Sequence, residues 1–118
     1  MTVRISVLLL ALAATAGASA STPVGNIAAG KTKAGVCGAC HGDGNTTLAV
    51  GETHPYPKLA GQYPDYLSKA LHEYKSGKRS NAIMGGQAAN LTDQDIADLT
   101  AYFGSLSGSV HDLSGHER

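Results

Sequence analysis

A chain of 118 residues with nine basic and nine acidic side chains and no tryptophan has room for one small domain. Its formal net charge of zero excludes the strongly basic surface that nucleic-acid binding requires. A domain of this size buries only a modest share of its surface, and one Phe and five Tyr leave little aromatic bulk to fill it.

The first 20 residues read as a secretory signal peptide. Arg4 supplies the positive end, Ile5 to Gly17 is an apolar run rich in Leu and Ala, and Ala18-Ser19-Ala20 gives an A-x-A cleavage site. The apolar run is 13 residues long, short of the ~20 needed to span a bilayer, and no later segment is long enough. Cleavage leaves eight basic against nine acidic residues. Residues 21–106 are expected to form the domain and residues 107–118 a flexible tail.

Ile27, Gly30, Ala34 and Cys37 recur at helical spacing, which predicts a first helix over about residues 25–40. Gly costs about 1 kcal/mol relative to Ala inside a helix, so Gly30 points to close approach of another element. This segment ends in Cys37-Gly38-Ala39-Cys40-His41, the C-x-x-C-H pattern of covalent c-type haem attachment. Positions three and four apart share a helix face, so both thiols and the imidazole can meet one flat ligand. The thiols can add to haem vinyl groups while the imidazole binds iron. These are the only two cysteines. A structural zinc site needs four closed ligands, a thioredoxin-like pair belongs in a βαβ pattern, and a plain disulfide gives His41 no task.

Residues 42–62 are rich in Gly, Pro, Thr and Asn and read as a long loop. Pro64 and Asp65 open a second helix with Leu67, Ala70, Leu71 and Tyr74 on one stripe, ended by Gly77. Residues 78–91 are expected to be a second loop. Thr92 caps a last helix with acids in its first turn and Ile96, Leu99, Phe103 and Leu106 along its apolar stripe. The fold class is therefore all-α, a few helices joined by loops too long to be stable unless something organises them.

A second iron ligand is sought in the second loop. Met1 leaves with the leader, so Met84 is the remaining thioether, and Met/His ligation is the electron-transfer arrangement that raises the potential. His54 is the competing donor. His72 reads as a surface residue, and His111 and His116 as solvated members of the tail.

Three segments match a family. They are Val36-Cys37-Gly38-Ala39-Cys40-His41-Gly42, Tyr56-Pro57-Lys58-Leu59-Ala60-Gly61-Gln62, and the run from Ile83-Met84 through Leu91-Thr92-Asp93-Gln94-Asp95-Ile96 to Tyr102-Phe103. In this order they resemble the class I bacterial cytochromes c, and most closely the periplasmic monohaem proteins related to the c-four type, over about residues 25–106. The resemblance implies the cytochrome c fold wrapped around one covalent haem c. It also implies a close crossing of first and last helices that sets Gly30 against Tyr102 or Phe103, and a hydrogen bond from the His41 ring to the Pro57 carbonyl. Tyr63, Tyr66, Arg79 and Asn81 fall where the family places groups near the haem edge and propionates. The Thr47–His54 loop looks longer than usual, the c-four proteins carry two haem domains where this chain has one C-x-x-C-H, and the tail has no counterpart.

These readings point to a periplasmic electron-transfer protein with His41 and Met84 as axial ligands. Such a protein is a carrier and not an enzyme, with other periplasmic redox proteins as partners. The alternative is a haem c subunit of a periplasmic dehydrogenase or sulfur-compound oxidoreductase, which would share the fold. A gas-binding haem lacks the sixth ligand that Met84 offers, and a haem-free thiol redox protein leaves His41 idle. Lys58, Lys69, Lys75, Lys78 and Arg79 form the expected basic side, opposed by Asp93, Asp95 and Asp98 on the last helix; such asymmetry can steer docking.

Overall fold

The computed structural model describes residues 21–43, 49–50 and 54–108. The expected leader, all of the Thr47–His54 loop except Ala49, Val50 and His54, and the tail segment with His111 and His116 lie outside the described residues.

The first helical segment is two helices rather than one. Helix α1 spans Ile27–Lys33, capped by Asn26, whose side-chain oxygen accepts from the Ala29 N–H. Helix α2 is a single turn, Gly38–His41. Between them the chain turns through Ala34–Cys37. Gly35 and Gly38 are poor helix formers and Val36 is β-branched, so the apolar spacing continued where the propensity did not.

A two-residue antiparallel ladder follows, β1 (Ala49–Val50) against β2 (His54–Pro55). It lies within the expected loop and leaves the fold helical. Helix α3 spans Pro64–Ser76, with Pro64 at its first position and Gly77 in the left-handed conformation at its end. These are the expected limits.

The second expected loop is a correction. Residues 82–88 form helix α4 (Ala82–Ala88). Gly85 and Gly86 argue against a helix by propensity, but Asn81 is an extended residue whose side-chain oxygen accepts from the Met84 N–H at 2.9 Å. That cap and the full burial of Ala88 outweigh the glycines.

Helix α5 spans Asp93–Ser105. Thr92 and Asp95 form a reciprocal capping box, satisfying two end N–H groups. Ile96, Leu99 and Phe103 are buried, as the stripe requires. The core joins Ala34, Leu67, Leu99 and Phe103, with Cys37, Leu59, Leu91, Tyr102 and Leu106 packed on it.

Helices α1 and α5 cross closely at Gly30. A Cβ there would strike the Asp98 carbonyl and come within 2.7 Å of the Tyr102 Cβ. The glycine is thus needed for approach, as its cost implied. The crossing is also polar. Asp98, 3% exposed, accepts from the Asn26 N–H and the Gln94 amide at 2.8 Å each and pairs with Lys33. Lys33 also pairs with Asp95 at 2.8 Å. One carboxylate thereby fixes the N-cap and the last turn of α1 against α5.

Among the described residues no helix is long and apolar enough to cross a membrane.

Candidate functional site

Helix α2 exists to present three side chains. The N–H groups of Cys40 and His41 both bond the Cys37 carbonyl, at 3.1 and 2.9 Å. That single turn puts Cys37, Cys40 and His41 on one side. Gly42, at φ 59°, stops the turn immediately after His41. Both cysteines are free thiols and half-buried. Burial pushes the Cys37 thiol above its ordinary pKa, because a thiolate is costly away from water.

His41 is buried, with 6% exposed. Its Nδ1 donates to the Pro57 carbonyl at 2.7 Å. The carbonyl has only lone pairs to offer, so Nδ1 carries a proton and Nε2 is the nitrogen left to meet a metal. An imidazole oriented in this way is a typical metal ligand.

The segment after Pro57 explains why that carbonyl stays in place. Leu59 packs on the core and Ala60 is fully buried. Gly61 turns at φ 76°, a left-handed conformation that favours Gly, and its N–H donates to the Phe103 carbonyl at 3.0 Å. The Gln62 side-chain oxygen accepts from the Tyr63 N–H at the mouth of α3. The segment is therefore pinned to the ends of α3 and α5. Past α5, Gly108 lies against Ala60 so closely that a Cβ there would meet the Ala60 backbone.

Met84 sits on α4 rather than in a loop, half-buried in its first turn. The Asn81 amide oxygen is engaged in capping that turn. Tyr63 and Tyr66 are exposed at 62% and 47%. Arg79 donates to the Tyr66 hydroxyl at 3.4 Å and lies over the Tyr74 ring, 5.0 Å from its centroid, a cation–π contact that sequence reading missed. His72 is exposed on α3, its Nδ1 donating to the Ser68 carbonyl at 2.8 Å.

The expected charge asymmetry is weaker than the sequence implied. Lys75 donates to the Leu91 carbonyl at 2.5 Å, tying α3 to the start of α5. Asp95 and Asp98 face Lys33, and Asp93 lies 3.4 Å from the His72 ring. These charges are engaged within the fold. A charge on a helix counts as free only if no neighbouring helix supplies a counter-ion, and that neighbour is not visible along the chain.

The residues suit a covalent c-type haem. Two free thiols and a metal-ready imidazole stand on one helical turn. Among the described residues no group of three or more His, Cys, Asp or Glu could close around a metal ion alone, so the zinc reading has no ligand set there.

Comparison with known proteins agrees. Residues 27–107 match the family described as cytochrome c. The chain is 50% identical over 104 residues to cytochrome c4 of Pseudomonas aeruginosa, covering 87% of this chain and 48% of that one. It is 36% identical over 76 residues to the cytochrome subunit of sulfide dehydrogenase of Chlorobaculum tepidum, covering 64% of each. A crystal structure of reduced recombinant cytochrome c4 from Pseudomonas stutzeri superposes with a TM-score of 0.63 at 42% identity, covering 73% of this chain and 48% of that one. The chain thus spans about half the length of its cytochrome c4 relatives.

Proposed function

The chain belongs to the cytochrome c family, and on that premise we propose that it is a periplasmic electron carrier with His41 and Met84 as the axial ligands of one haem. Covalent haem c, on a Cys pair that is here Cys37 and Cys40, is the family's cofactor. The observation that carries the reading is the buried His41 ring, locked through Nδ1 to Pro57 at 2.7 Å on the same turn as both thiols. When bound, the haem supplies one-electron chemistry at its iron.

The chain's own task is to hold and to shield. Cys37 and Cys40 fix the group covalently. Pro57 keeps His41 in one tautomer, so the ligand nitrogen is always available. Met84 supplies a soft thioether that favours the reduced iron. Burial of His41 excludes water from the ligand, which also favours the reduced state over the more highly charged oxidised one. Tyr63, Tyr66, Arg79 and Asn81 are assigned to the haem edge and propionates, with Arg79 steadied by its two tyrosines. No general base or nucleophile is required, which fits a carrier and not an enzyme.

Docking to periplasmic redox partners uses the exposed edge. Val36 and Ile83, each one residue before a proposed haem contact, are 63% and 54% exposed. An apolar rim of this kind suits brief encounters. The export leader, residues 1–20, supplies the route to the periplasm; residues 21–106 form the haem domain and 107–118 a tail. A second reading is favoured by the sulfide dehydrogenase relative: the same carrier acting as the haem subunit of a sulfur-compound oxidoreductase. Co-purification with a larger catalytic chain distinguishes the two.

Met84→Ala tests the ligand assignment. Haem is expected to stay attached, carbon monoxide to bind the ferrous protein, and the potential to fall by on the order of 0.1–0.3 V, within the ~0.8 V that axial ligation spans. An unchanged spectrum and potential would give the sixth position to another donor, with His54 the first to substitute.

A further inference from the structure

Tyr56 precedes Pro57 and has been given no task. Its ring lies 6.0 Å from the His41 imidazole, centroid to centroid, with the planes inclined by 57°. Its phenol lies beside the Cys40 side chain, whose approach raises the phenol above its ordinary pKa. One side chain therefore lies beside both the histidine and one of the two cysteines assigned to the haem. Its neighbour, Pro57, holds the Nδ1 end of the same imidazole at 2.7 Å.

Two consecutive residues thus constrain His41 differently. The Pro57 carbonyl fixes where Nδ1 points but leaves the ring able to rotate about that bond. A tilted aromatic ring against the imidazole removes that freedom, an arrangement that aromatic quadrupoles favour. We propose that Tyr56 is a positioning residue that sets the reduction potential: its ring fixes the plane of the His41 imidazole, and its hydroxyl donates a hydrogen bond to the Cys40 sulfur. The proposal rests on the reading of His41 as the iron ligand.

The donor direction follows from the chemistry of the loaded protein. Once Cys40 is joined to haem its sulfur is a thioether, with lone pairs and no proton. The sulfur can only accept, so the phenol donates. A donor at this sulfur draws electron density from the attached group and favours the reduced state, as hydrogen bonds near a haem do. Deleting the hydroxyl therefore lowers the potential. Deleting the ring lowers it further, because the imidazole then turns and water reaches its edge.

The experiment uses the haem-loaded protein and compares wild type, Tyr56→Phe and Tyr56→Leu by potentiometric titration and by proton NMR of the ferric form. Tyr56→Phe is expected to lower the equilibrium constant for reduction roughly threefold, about 28 mV at 59 mV per tenfold, with the His41 ring resonances unmoved. Tyr56→Leu is expected to lower it more and to displace those resonances. A role in stability alone would change the unfolding midpoint and leave the potential and the His41 resonances where they were. An unchanged potential in Tyr56→Phe, or identical behaviour of the two variants, overturns the proposal. Absence of iron-shifted His41 resonances in the wild type would overturn the ligand reading first, and this proposal with it.

Discussion

Asp98 lies on the helix whose acids were expected to face a docking partner, yet it is buried and bonded on both oxygens. The Lys33 ammonium, above all, holds its carboxyl below the usual carboxylate range, with help from the Asn26 N–H and Gln94. The depressed value means the folded state binds its proton less readily than the unfolded chain. Stability from this group is therefore fully present above the ordinary value of 3.8 and is lost as pH falls through the lower folded value. Lys33 is shifted the other way, upward from 10.5, chiefly by Asp95 and then Asp98, so its contribution persists until pH rises through that raised value. Asp98→Asn is expected to destabilise the haem-loaded protein clearly at pH 7 and far less at a pH below the lowered folded value, where wild type has lost the same contact. Urea unfolding at both pH values checks this; an equal loss at both would show that the carboxylate charge is not what joins α1 to α5.

At the scale of elements, α4 is where local and tertiary signals conflict most. The segment Ala82-Ile83-Met84-Gly85-Gly86 breaks its helix formers with two consecutive glycines, and only Asn81 announces a start. Losing that cap costs ~1 kcal/mol, enough to matter for a helix of seven residues that would be marginal in isolation. Asn81→Ala is expected to leave haem attachment intact while loosening the turn that carries Met84, seen as a lower temperature for loss of the absorption band of the proposed Met84–iron bond than for global unfolding. Loss of both at one temperature, as in wild type, would show that packing of Ala88 alone holds the turn. The contrast with α3 and α5 explains what was legible. Those helices begin with Pro64 and with Thr92, end in Gly77 or in a polar segment, and carry unbroken apolar stripes, so spacing and caps agree. The turn at Ala34–Cys37 was hidden because Ala34 and Cys37 continue the apolar period while leaving the helix. The C-x-x-C-H triad was legible because its chemistry is local. Tyr56 and the Lys33–Asp98 pair were not, because each acts across 15 or more positions, and a single sequence does not show which distant residue arrives.

At the scale of the whole molecule the question is what the described helices pack around. The fully buried residues among them are few: of the large side chains only Ile96 is wholly enclosed, and the core cluster is Ala34, Leu67, Leu99 and Phe103. Val36, Ile83, Tyr63 and Tyr66 remain exposed. Hydrophobic burial at ~25 cal/mol per Å² must offset ~1–2 kcal/mol of backbone entropy for each ordered residue, and a core of this size does so poorly for a small domain. The elements that lie outside the α1–α5 crossing, namely α2, the Pro57 segment and α4, include those assigned to haem contact. A covalent planar group joining Cys37, Cys40, His41 and Met84 would bring the missing apolar surface to those segments and act as their common core. The double variant Cys37→Ser, Cys40→Ser is therefore expected to remove covalent haem, lower the yield of folded protein, and leave far-ultraviolet circular dichroism with weak, non-cooperative helical signal. The Asp98 contacts between α1 and α5 should be the last structure retained, since they need no cofactor. A cooperative melt with native helical content in the haem-free variant would show that the polypeptide carries its own core, and that the haem is a passenger on a finished fold rather than part of what folds it.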